Sequence, residues 1–367
     1  MRFLATCKIC GSVRIAEVLG ICGPCIRKDP QAATGTSFLA HQKSRFPLPP
    51  APPRPAEGVS CRICANDCCL GPGEAGFCGL RANHDGRLVN LTGSSKKGLV
   101  TWYHDPLPTN CVADWVCPAG SECGYPEYSY VPGKEYGYYN LAVFLGGCSF
   151  DCLFCQNRSY HQMAMDLRPL ATVEDLANAV LLKTACICFF GGDPSPQIVF
   201  CLAACRLVLE KHPGKILRIC WETNGNINPR YLTPMAEISL KTGGCVKFDL
   251  KAWDEGLHKN LTGVSNRQTL ANFAALAGYH KKRTEPPFLV ASTLLVPGYV
   301  DSVEVKAIAE FISQLGPDIP YSLLAFYPHH LMEDLPLTLK QEALACREVA
   351  LAAGLKRVRL GNVHLLA

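Results

Sequence analysis

The chain has 367 residues, 48% of them hydrophobic, enough for one large catalytic unit with a smaller appendage and a substantial core. Its 36 basic and 31 acidic residues give a net charge of +5 and are dispersed, without the basic run of a nucleic-acid tail, so no nucleic-acid partner is expected. No apolar stretch is long enough to span a bilayer, and the start "MRFLATCKICG" lacks a signal-peptide core, so a cytoplasmic protein with no membrane partner is expected.

The chain carries 22 cysteines. In a reducing compartment these are better read as metal ligands than as disulfides where they cluster, and an anaerobic setting suits them. Residues 1–45 hold Cys7, Cys10, Cys22 and Cys25 as two C-x-x-C knuckles beside glycines, a four-sulfur set that favours structural zinc. Residues 46–58, "FPLPPAPPRPAEG", read as a stiff proline-rich linker. Residues 59–139 form a second cysteine-rich segment. There Cys61, Cys64, Cys68 or Cys69, and Cys78 make a second four-ligand set for zinc or a second Fe–S cluster, and Cys111, Cys117 and Cys123 have no partners fixed by spacing.

Residues 140–367 alternate unbroken apolar runs with helical patterns. The expected strands are "NLAVFLGG", "ACICFFGG", "ILRICWETNG", "CVKFDLKA", "PFLVASTLLVPG" and "YSLLAFYP", unbroken as parallel strands buried on both faces are. Between the first two, "TVEDLANAVLLK" has Thr172 as N-cap and Glu174 and Asp175 in the first turn of a helix. The fold class is α/β: a partial (β/α)6 TIM-type barrel behind a cysteine-rich, metal-binding N-terminal region. Polar motifs follow each strand, which places them on one rim, where such barrels gather ligands. Cys186, Cys188, Cys201, Cys205, Cys220, Cys245 and Cys346 lie inside apolar stretches and read as small core residues.

The first strand runs into "GGCSFDCLFCQN", with Cys148, Cys152 and Cys155 at spacings of four and three. No further cysteine or histidine follows until His161, so a closed zinc site lacks a fourth ligand. Three thiolates on a short loop suit a four-iron cubane with one iron left open. The motif C-x-x-x-C-x-x-C, with Phe154 before the last cysteine, resembles the signature of the radical S-adenosylmethionine (radical SAM) superfamily.

That resemblance implies a [4Fe–4S] cluster held by Cys148, Cys152 and Cys155 and chelated by S-adenosylmethionine. Gly191, Gly192 and Asp193 resemble the family's Gly-Gly-Glu segment, with a shorter carboxylate. "WETNG" is similar to the "DTNG" of glycyl-radical-activating enzymes and nominates Glu222 and Asn224. "DLK" nominates Asp249 and Lys251, and "YPHH" nominates His329 and, less directly, His330. The upstream "CRICANDCC…GFCGLRANHDGRL" resembles the N-terminal segment of AmmeMemoRadiSam-type proteins, a departure from the activases, which place extra cysteines after the cluster motif.

The reaction this implies is cleavage of S-adenosylmethionine to a 5′-deoxyadenosyl radical that abstracts hydrogen from a C–H bond of a protein or peptide, with ferredoxin or flavodoxin as reductant. A cobalamin-dependent radical C-methyltransferase acting on a protein residue, for example of archaeal methyl-coenzyme M reductase, is the alternative, although no D-x-H-x-x-G cobalamin signature is present. A zinc-ribbon RNA- or protein-binding module is the non-catalytic reading.

Overall fold

The computed structural model of the chain describes residues 5–367. Its core is a nine-stranded sheet built from β1 (Lys97–Pro106), β2 (Tyr139–Leu145), β3 (Leu170–Thr172), β4 (Thr184–Gly191), β5 (Arg218–Thr223), β6 (Val246–Asp249), β7 (Leu289–Leu295), β8 (Tyr321–Ala325) and β9 (Val358–Gly361), in the order β9-β8-β7-β6-β5-β4-β2-β1-β3. From β2 to β9 every pairing is parallel. The six expected strands are β2 and β4 to β8, and the C-terminal "KRVRLGN" supplies a seventh parallel strand. The sheet is therefore α/β and open: β9 and β3 are its two edges.

The sheet also begins ahead of residue 140. β1 pairs antiparallel with β2 from Val100↔Leu145 to Pro106↔Tyr139, so part of the cysteine-rich segment belongs to the same sheet. The run 46–58 contains no helix or strand, and Pro53 C=O accepts from the Cys69 N–H at 3.0 Å.

The parallel strands are buried on both faces because helices cover one side. α4 (Val173–Asn178) starts with a capping box in which Thr172 and Asp175 satisfy each other's backbone N–H groups, as the sequence pattern demands. α9 (Ser302–Leu315) is capped by Asp301, which accepts from Val303 N and Glu304 N. The core under these helices includes Phe189 stacked on Trp221 with ring centroids 4.8 Å apart, both fully buried. Side chains of that size each contribute about 2–3 kcal/mol through burial.

Ahead of the sheet, α1 (Gly23–Lys28) and α2 (Thr34–Arg45) pack against the barrel. Ile15, Leu19, Ile26 and Ala40 share one apolar cluster with Leu153, Phe154, Val296, Tyr299 and Phe326. No helix among the described residues is long and apolar enough to cross a membrane.

Candidate active site

The loop between β2 and α3 (Ser159–Asp166) carries Cys148, Cys152 and Cys155. All three line one cavity of about 230 Å³ at the C-terminal ends of the parallel strands. Phe154, Gly191, Gly192, Asp193, Glu222, Asn224, Asp249 and Lys251 line the same cavity. Residues from four separate stretches of sequence thus converge, because strands in parallel register present their C-terminal residues to one rim. His329 is not among the lining residues; its Nδ1 is buried without a hydrogen-bond partner. His330 faces away, its Nε2 2.9 Å from Ser44 Oγ.

The glycine pair has a steric reason. A Cβ on Gly192 would sit 2.1 Å from the Gly147 carbonyl oxygen, and Gly191 has φ +104°. The two loops are stitched at that point: Gly192 N–H donates to Leu145 O at 2.9 Å and Asp193 N–H to Gly147 O at 3.2 Å. Only a residue without a side chain permits this approach.

Asp193 does not present a free carboxylate. Its Oδ1 accepts from Thr223 Oγ1 at 2.9 Å and Asn224 N at 2.8 Å, and its Oδ2 from Ser195 N at 2.8 Å. Asp193 therefore locks the "GGD" turn to the "TNG" turn. Asn224 in turn holds the cysteine loop, with Nδ2 2.9 Å from Ser149 Oγ and 3.6 Å from Cys148 Sγ. Phe150 N–H points at the same sulfur at 3.4 Å.

Two cations flank the cavity. Lys251 Nζ is 2.8 Å from Asp249 Oδ2; burial works against its charge, but Asp249 and the Cys152 thiol hold its pKa above the ordinary lysine value. Lys247 Nζ lies 2.7 Å from Glu222 Oε1. Burial pushes the Cys148 and Cys155 thiols up, and Cys152 to about 12. These thiols stay protonated until a cation replaces the proton, as metal ligands do.

Sequence reasoning missed the support of the loop. Asp151, between the first two cysteines, is fully buried and accepts from Ser44 Oγ and His41 Nδ1, both at 2.8 Å, and from Arg158 Nη1 at 3.1 Å. Burial alone would raise its carboxyl, yet the His41 hydrogen bond and the Arg45 and Arg158 charges hold it at about 2. Asn66, from the second cysteine-rich segment, also braces the loop by donating from Nδ2 to Ser149 O at 2.7 Å.

The remaining cysteines separate by spacing. Cys7, Cys10, Cys22 and Cys25 form the one set of three or more potential ligand atoms, among the described residues, lying within 4.8 Å of each other; Cys10 Sγ and Cys22 Sγ are 3.6 Å apart. Four sulfurs about 2.3 Å from a central zinc would stand about 3.8 Å apart. Cys61, Cys64, Cys68 and Cys78 are all buried. Burial, then the neighbouring Cys78 and Cys61 thiols, push Cys68 to about 12. Cys68 packs with Cys61 in one buried apolar cluster, whereas Cys69 is only half-buried. Cys201, Cys205 and Cys346 pack in the main core. Cys186, Cys188, Cys220 and Cys245 do not simply fill core: with Cys111 and Cys117 they line a second cavity beneath the first.

An open parallel barrel with three thiols, a glycine turn and two lysines around one rim cavity defines an enzyme with a substrate-accessible metal centre. The chain belongs to the radical SAM superfamily, whose family model matches residues 142–312. Members cleave S-adenosylmethionine at an iron–sulfur cluster, so a [4Fe–4S] cluster and S-adenosylmethionine are its implied cofactors. A Methanocaldococcus jannaschii protein named among the glycyl-radical enzyme activating enzymes is 30% identical over 223 residues, 58% of this chain and 76% of that one. An uncharacterized protein of the same organism is 23% identical over 312 residues, 83% of this chain and 81% of that one. The pyruvate formate-lyase 1-activating enzyme of Escherichia coli is 27% identical over 191 residues, 50% of this chain and 73% of that one.

Proposed function

We propose that this chain uses Cys148, Cys152 and Cys155 to hold a [4Fe–4S] cluster and acts on a C–H bond of a protein or peptide. The observation that carries this reading is the convergence of the three thiols with Gly191, Gly192, Glu222, Asn224, Asp249 and Lys251 around one cavity. The donor set fits the group: the three sulfurs are not gathered closely enough for a single ion, as thiolates on different irons of one cluster would not be. When bound at Cys148, Cys152 and Cys155, such a cluster would supply the electron for reductive cleavage of the C5′–S bond of S-adenosylmethionine, giving methionine and a 5′-deoxyadenosyl radical. The chain's own residues position and exclude water. The Gly191–Gly192 turn and Lys251 line the cavity, where the turn's backbone carbonyls would accept from the methionine ammonium and Lys251 would supply a cation for its carboxylate.

A polypeptide substrate is supported by two relatives named as activating enzymes, one of them for pyruvate formate-lyase, and by a sheet that stays open at β9 and β3. Ferredoxin or flavodoxin is the reductant this chemistry calls for. In the N-terminal region, the close sulfurs of Cys7, Cys10, Cys22 and Cys25 suit one structural zinc. The wider set of Cys61, Cys64, Cys68 and Cys78 suits a second Fe–S cluster.

The test is anaerobic. Protein reconstituted with iron and sulfide is given S-adenosylmethionine and dithionite, and 5′-deoxyadenosine is measured; Cys152→Ala should produce none. Candidate polypeptides captured by the protein are then compared by mass before and after turnover. Loss of hydrogen supports radical transfer or oxidation, and gain of a methyl group that requires added cobalamin would replace it with the methyltransferase reading. Abundant 5′-deoxyadenosine from the Cys152→Ala variant would sink the assignment.

A further inference from the structure

Beneath the rim cavity, the interior of the barrel is not filled in the usual way. Inward positions in such barrels are dominated by branched aliphatic side chains. Here they carry Ala142 on β2, Cys186 and Cys188 on β4, Cys220 on β5 and Cys245 just before β6. The register sets them side by side: Cys188 stands opposite Ala142 and Cys220, and Trp221 N–H bonds to Cys245 O at 3.0 Å. Cys111 and Cys117 close the chamber from the loop after β1. These small side chains leave about 90 Å³ of space, several times what one water needs.

We propose that this chamber is a metal site in its own right, an iron–sulfur cluster ligated from the six thiols of Cys111, Cys117, Cys186, Cys188, Cys220 and Cys245. The first support is the company the sulfurs keep. Lys247 Nζ lies 3.1 Å from both Cys111 Sγ and Cys188 Sγ, so one buried ammonium bridges sulfurs from two different elements. Glu222 Oε1 shares that ammonium at 2.7 Å, so these sulfurs sit in a charged, polar chamber rather than in neutral packing. The second is spacing. Six sulfurs line the chamber, yet no three of them meet the 4.8 Å limit that the N-terminal knuckles satisfy, so the set fits a cluster of several irons better than one ion.

The third support is chemical and rests on the proposed radical reaction above. The chamber and the rim cavity share Phe190, Glu222 and Lys247, so the thiols lie one side-chain layer from the place where a carbon radical would form. An S–H bond is weaker than an alkyl C–H bond, so free thiols there would give hydrogen to the radical in competition with the substrate. Ligation to iron replaces up to four of these S–H bonds by S–Fe bonds, the protons leaving to solvent, and reduces that competition. The cluster then forms the floor of the substrate's space.

The test compares full-length wild type with the Cys188→Ser/Cys220→Ser variant, both reconstituted anaerobically with iron and sulfide. Iron, acid-labile sulfide and zinc per chain are measured beside 5′-deoxyadenosine production. The variant should lose about two to four irons with matching sulfide, while still cleaving S-adenosylmethionine. Unchanged iron, or loss of zinc alone, overturns the proposal. If the double variant does not fold, Cys111→Ser, which lies outside the sheet, carries the same expectation. A Cys148→Ala/Cys152→Ala/Cys155→Ala variant separates the two readings. It should lose S-adenosylmethionine cleavage yet keep the irons that Cys188→Ser/Cys220→Ser removes; if wild type itself never cleaves S-adenosylmethionine, the radical reading fails while the iron difference still judges the chamber.

Discussion

At Gly192 a single methyl group decides the geometry of the site. The added Cβ would stand 2.1 Å from Gly147 O and 2.9 Å from Leu145 O, backbone atoms that cannot swing aside. Gly192→Ala should therefore cost about 3 kcal/mol and abolish S-adenosylmethionine binding, readable by denaturant titration and by equilibrium dialysis of the reconstituted protein. Asn224→Ala removes the donor to both Ser149 Oγ and Cys148 Sγ. It should destabilise by about 1–3 kcal/mol and lower the iron retained after gel filtration; retention equal to wild type would show that Asn224 does not hold the loop. Residues such as these were legible in the sequence because their roles follow from local backbone chemistry: a glycine turn, three thiols on a short loop. The hydrogen-bonding role of Asp193 and the placement of His329 were not. The orientation of Asp193 is set by Thr223 and Asn224, some thirty residues away, and the chain turns at His330, whose φ is +55°, so proximity to "YP" did not imply facing the cavity.

The element that steadies the cysteine loop is α2, and its sequence hides it. Its buried positions are Ser37, Ala40, His41, Ser44 and Arg45, so the face turned inward is polar and no hydrophobic period marks the helix. Three of these side chains, His41, Ser44 and Arg45, face Asp151. Six of the seven parallel strands, by contrast, announced themselves, since burial on both faces demands continuous apolar runs. β1 escaped notice because it lies among cysteines and its far half alternates between half-buried and exposed residues. Asp151→Asn should cost about 3 kcal/mol near neutral pH, because it leaves buried positive charge uncompensated. The sign with pH follows from a folded carboxyl at about 2 against 3.8 for an ordinary aspartate side chain. The stabilisation, about 2.5 kcal/mol, is fully present above the unfolded value and is lost as pH falls through the folded one. Thermal melts of wild type and variant should therefore converge between about pH 4 and pH 2. A gap that stays constant to pH 2 would mean that the carboxylate charge is not what docks α2.

For the whole molecule, the question is what the N-terminal knuckles do for a catalytic barrel whose cavity none of their sulfurs line. They are fastened to its rim at several points. Gly23 N–H donates to Gly298 O at 2.8 Å, Ala16 N–H to Tyr299 OH at 3.0 Å, and Arg27 and Arg14 pair with Asp301 at 2.7 Å and Glu342 at 2.8 Å. Cys7, Cys22 and Cys25 also share an apolar cluster with Leu153 and Phe154 of the cysteine loop. A metal held by the knuckles would therefore fix a lid of packing behind that loop without touching the chemistry, and its binding energy would become folding energy. Cys22→Ser/Cys25→Ser should lose one zinc per chain by elemental analysis and melt about 4 °C lower, the shift expected for a loss near 3 kcal/mol in a chain of this size. Iron should also leave the variant faster during incubation, because Leu153 and Phe154 lose their backing. The initial rate of 5′-deoxyadenosine formation per bound cluster should match wild type, since the rim cavity keeps all its lining residues. A folded, iron-replete variant that no longer cleaves S-adenosylmethionine would show instead that the knuckles reach the reaction itself, and their role would then have to be argued from catalysis rather than from stability.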